Sequence, residues 1–137
     1  MRIDALTRRV VPLVAAALLV LPVGTAIAAR SLPTKTTEVN EITVEVSPRR
    51  VNSRGAVIAI ILDTHEGALD VDLRRRSTLT VDGTPWPVDS YQGDGPGGHH
   101  REGTLRFRSA GPVSASMRLV ITGLGGTAKL SWKLPSS

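Results

Sequence analysis

Apolar side chains recur at every second position along most of this chain, and that spacing excludes a helical protein. Ile42, Val44 and Val46 alternate with Glu41, Thr43 and Glu45. Leu105 and Phe107 alternate with Arg106 and Arg108, and Ala128, Leu130, Trp132 and Leu134 alternate with Lys129, Ser131 and Lys133. A period of two puts one face of a strand in a core and the other in water, whereas a helix needs a period near 3.6. Met117, Leu119 and Ile121 share one face in the same way, as do Leu69, Val71 and Leu73 between Asp70 and Asp72. Ala56 to Leu62 is apolar throughout and rich in β-branched residues, which reads as a central strand covered on both sides. Thr78 to Val81 adds a short strand closed by Asp82-Gly83, a hairpin turn pair.

These segments amount to about seven strands separated by Gly, Pro, Asn and Asp turns, with no helical pattern among them. The expected fold is an all-β, immunoglobulin-like β-sandwich over residues 41–137, although an open barrel has nearly the same signature. Residues 29–40 are polar and aperiodic and read as a flexible linker into the domain. Arg74-Arg75-Arg76 reads as a solvated strand end. Trp86, between Pro85 and Pro87, belongs to an edge segment or a loop, where capping the core is the commoner role of a lone Trp and an exposed ligand platform the other; residues 89–98 form a long glycine-rich loop.

Residues 1–28 read as a signal peptide. Arg2, Arg8 and Arg9 form a basic start, Leu13 to Leu21 is an apolar run, and Ala26-Ile27-Ala28 ends it with small residues. An uncleaved anchor is the alternative, but Pro12, Pro22 and Gly24 interrupt the span. Thr7-Arg8-Arg9 resembles the start of a twin-arginine signal, which Val11-Pro12 does not continue. A secreted or periplasmic product is expected, touching the membrane only through the signal before cleavage. The chain has no cysteine, so neither lipidation nor a disulfide framework is open to it, and burial must hold the domain.

The net charge is +5, and loss of Arg2, Arg8, Arg9 and Asp4 with the signal leaves +3. With one Tyr and one Phe there is no stacking platform for bases, so no nucleic-acid partner is expected.

All three histidines fall where strands meet loops: His65 in Asp63-Thr64-His65-Glu66, and His99 and His100 after Gly97-Gly98. If the strand ending at Leu62 runs antiparallel to the one starting near Gly103, the two elements share one end of the sandwich. His65, His99, His100 and Asp63 are then candidate ligands for Cu or Zn, with Glu66, Asp94 and Glu102 as further oxygen donors. The competing reading is structural: imidazoles hydrogen-bond to backbone and pin the glycine-rich loop.

Asp63-Thr64-His65 and Leu69-Asp70, with Gly97-Gly98-His99-His100 and Gly103-Thr104-Leu105-Arg106-Phe107, resemble a group of small secreted bacterial proteins. That group shares Thr-His and Gly-Gly-His-His elements. The resemblance implies that the two histidine elements belong to one site, and it implies no reaction. The plan is also loosely similar to the periplasmic copper-carrier sandwiches. Those use a histidine at the mature N-terminus, where this chain has Ala29-Arg30.

No nucleophile elbow, cysteine or paired carboxylates in an evident pocket mark an enzyme. Two non-catalytic functions are therefore expected. One is transition-metal binding at the histidine rim. The other is a structural or interaction module holding an envelope protein or polymer through an edge strand, with Trp86 and Tyr91 as candidate contact residues.

Overall fold

The computed structural model describes residues 32–135; the expected signal peptide lies outside them. The described residues form nine strands and one helical turn. In order these are β1 (Lys35–Val39), β2 (Ile42–Asn52), β3 (Gly55–Thr64), α1 (Leu73–Arg76), β4 (Ser77–Val81), β5 (Thr84–Trp86), β6 (Val88–Gly93), β7 (His100–Arg108), β8 (Ser116–Ile121) and β9 (Ala128–Lys133).

Two antiparallel sheets face each other. One has the order β1-β2-β3-β7-β6 and the other β5-β4-β8-β9. Without β1 and β5, the orders β2-β3-β7-β6 and β4-β8-β9 are those of the seven strands of an immunoglobulin sandwich, four against three. The sandwich read from the sequence is therefore present. Its core takes alternate residues from both sheets: Ile58, Ile60 and Leu62 of β3 meet Leu79, Leu119 and Ile121 from β4 and β8, all at most 1% exposed.

Five local expectations are corrected. Residues 35–39 of the expected linker form β1, joined to β2 by a tight turn in which Asn40 and Glu41 have φ of 48° and 63°. The segment Leu69 to Leu73 alternates in burial as expected, with Leu69, Val71 and Leu73 buried, yet it joins no sheet before α1 begins. Arg74 to Arg76 lie in that helical turn, whose N-cap Asp72 accepts a hydrogen bond from Arg75 N at 3.2 Å. The expected long loop 89–98 is half strand, because β6 extends to Gly93.

The apolar run 56–62 is central in its sheet, between β2 and β7, but it is covered on one side only. Ala56, Ile58, Ile60 and Leu62 face the core, while Val57, Ala59 and Ile61 are half-buried on the outer face.

Candidate functional site

The β3–β7 ladder brings the two histidine elements to one rim. Its antiparallel register pairs Gly55 with Arg108 at one end and Asp63 with His100 at the other. Beyond the ladder the contact continues through the backbone. Thr64 N donates to His99 O, Leu69 N to Gly98 O, and Gly97 N to Leu69 O, each at 2.9 Å. The glycine-rich loop is thus pinned by main-chain hydrogen bonds and not by imidazole rings.

The three imidazoles have different surroundings. The His100 ring stands on the outer face between two carboxylates, with Nδ1 2.5 Å from Asp63 Oδ1 and Nε2 3.1 Å from Glu102 Oε1. Asp63 reaches it across the ladder, and Glu102 lies two residues along the same strand, on the same face. Only the doubly protonated ring donates to both oxygens. The Asp63 hydrogen bond first, and the Glu102 one second, therefore raise the His100 pKa above its ordinary 6.5. His65 and His99 are exposed, and among the described residues neither ring makes a hydrogen bond or ion pair. Of the expected ligands, Asp63 and His100 meet directly. No group of three or more His, Cys, Asp or Glu among the described residues is arranged to hold a metal ion.

The residue next to His100 organises the rim, and its role was not read from the sequence. Successive strand residues point to opposite faces, so Arg101 points into the sandwich and is 2% exposed. Its Nη1 donates to Leu69 O at 2.9 Å and Val71 O at 2.6 Å, and its Nη2 donates to Asp94 O at 3.1 Å. Among the described residues no carboxylate forms an ion pair with it, so three carbonyl dipoles carry the compensation of this buried charge. The signal for it lay in the alternation itself: extending the inward set of Phe107 and Leu105 back along the strand reaches Gly103 and Arg101.

Trp86 takes the core-capping role, and Tyr91 departs from the contact role expected of it. Trp86 lies on the edge strand β5 but is 2% exposed and part of the core, so it offers no contact surface. Tyr91 is half-buried on β6. Its ring covers Gly103, where any side chain would collide with it, and its hydroxyl donates to Asp94 O at 2.8 Å. It therefore serves the rim as a brace.

Beside this braced rim is an open cleft of about 550 Å³. Its walls include Glu66 to Asp72, Arg75 and Arg76 from α1, and Gly123 to Gly125. The lining includes Leu69 and Val71, whose carbonyls Arg101 holds.

Comparison with protein-family models, with curated proteins and with solved structures finds no match for this chain.

Proposed function

We propose that the protein is an exported, non-catalytic β-sandwich recognition module that binds an envelope protein or polymer in the rim cleft. The observation that supports this is that Arg101 braces part of the cleft's lining. Arg101 holds Leu69 and Val71 in place, so the polar groups of Asp70, Asp72, Arg75 and Arg76 are presented by a fixed backbone. Recognition by loops on a rigid scaffold loses little entropy on binding. In this reading His100 braces the rim and does not contact the ligand.

The test is co-sedimentation of the purified protein with an isolated insoluble envelope fraction. The wild type is expected to pellet with it, and Arg75→Glu combined with Arg76→Glu to reduce the bound amount at least fivefold. Equal retention of both proteins, or no binding by the wild type, contradicts the reading.

Capture of Cu or Zn is the second reading, supported by the meeting of Asp63 and His100. A single carboxylate–imidazole pair is an incomplete set for a tetrahedral Zn site, which takes three or four protein ligands. Titration of the wild type, His65→Ala and His99→Ala with Cu(II) and Zn(II) separates the two. Tight stoichiometric binding lost in either variant supports the metal centre.

A further inference from the structure

The outer face of the five-stranded sheet has no layer over it among the described residues, and its side chains follow a pattern that is complementary to itself. The registers arrange them in rows across the strands. Ser47, Ala59 and Thr104 form the middle row, with Ser47 buried at 9% exposure and hydrogen-bonded to the Thr34 hydroxyl at 2.7 Å. On one side of it lies the row Glu45–Ile61–Glu102, and on the other the row Arg50–Val57–Arg106. Further out, Glu38 and Asp63 extend the acidic end, with His100 between Asp63 and Glu102, and Arg108, paired with Asp89 at 3.5 Å, ends the basic side. Arg50 reaches this face because the β2 ladder shifts register between Pro48 and Arg50. That bulge sets Arg50 opposite outward-facing Val57.

We propose that this face is the interface of a homodimer, in which a second copy packs sheet against sheet about a two-fold axis along the Ser47–Ala59–Thr104 row. That rotation reverses the strand direction and keeps each strand over its own counterpart. Glu102 then faces Arg106 of the second copy, Glu45 faces Arg50, and Ile61 faces Val57. Ala59 meets its own equivalent, and the small residues of the axial row let the two sheets approach to the ~10 Å of packed sheets. The size is adequate. Four spacings of ~4.8 Å across the five strands and the ten residues of β3 at ~3.3 Å give roughly 630 Å² per copy, so the pair buries more than the ~1,000 Å² of a specific interface. Among the described residues Glu45, Arg50 and Arg106 form no ion pair within the subunit, which leaves them available to a partner, and Glu102 contacts His100 through one oxygen, which leaves the other for Arg106 of the second copy. The inference is independent of the rim cleft.

Sedimentation velocity of the purified protein tests it. A dimer is expected at ~100 µM protein in ~20 mM salt, with a dissociation constant at least tenfold weaker in ~500 mM salt, where the charge pairs are screened. Glu102→Arg is expected to weaken the dimer at least tenfold, and Glu102→Arg with Arg106→Glu to restore it. These two residues are four apart on one strand, ~13 Å, so rescue cannot arise within one chain. Glu45→Arg, alone and with Arg50→Glu, repeats the test away from His100, and near-UV circular dichroism checks the fold of each variant. A monomer in ~20 mM salt overturns the proposal, as does failure of both exchanged pairs to restore the dimer.

Discussion

The guanidinium of Arg101 donates to the carbonyl of Leu69 at 2.9 Å, although 32 residues separate them and no sheet joins them. This contact, with those to Val71 and Asp94, substitutes for the ladder that residues 69–72 lack. A buried carbonyl without a donor is costly, so Arg101→Ala is expected to destabilise the fold by about 2–4 kcal/mol in urea unfolding. Arg101→Lys is expected to recover little of that loss, because an ammonium lacks the planar fork that spans separate carbonyls.

Asp82 governs acid stability. It sits with Gly83 in the β4–β5 turn at φ of 49° and 79°, the pattern of a type I′ hairpin. Its carboxylate accepts from Ser114 N, Ala115 N and Ser116 N at 2.6, 2.7 and 2.8 Å, and from Ser114 Oγ at 2.9 Å. The Ser116 amide is the strongest cause that brings its pKa down to about 2 from 3.8. A lowered pKa means that the folded state favours the charged form. Its contribution is complete above pH 3.8 and is lost as pH falls through about 2. Asp82→Ala is therefore expected to lower the urea midpoint at pH 7, and the difference from wild type to close between those two values.

Glu41 occupies a left-handed turn position at φ 63° that glycine adopts without strain. Glu41→Gly gives the β1–β2 turn the Asn-Gly sequence preferred for such hairpins. The expected outcome is a gain of about 1 kcal/mol and a melting temperature higher by about 4 °C, read by differential scanning calorimetry.

The alternation of residues such as Leu105 and Phe107 made the sandwich legible, because period-two burial is a local property of the sequence. The antiparallel meeting of Asp63 with His100 was legible for a related reason: two strand ends with turn-rich neighbours imply a shared rim. Other features depended on partners distant in the chain. Leu69 to Leu73 has the burial of a strand, but an arginine takes its carbonyls, and periodicity carries no information about who accepts a hydrogen bond. Trp86 lies among prolines, which leaves capping and exposure both open, and only its 2% exposure in the folded core decides between them. Lys35 to Val39 has no strong apolar pattern because it is an edge strand, ordered by pairing with β2.

His100 stands between Asp63 and Glu102, and both hydrogen bonds favour its charged form. The most direct measurement is an NMR titration of the His100 ring from pH 5 to 9, with and without one equivalent of Zn(II). A raised pKa is expected, so the brace is complete below 6.5 and weakens as pH rises through the folded-state value. Asp63→Asn is expected to move that value down toward 6.5, and Zn(II) to leave the wild-type curve in place. A His100 pKa that is not raised and does not respond to Asp63→Asn, or displacement of the titration by stoichiometric Zn(II), would contradict the account.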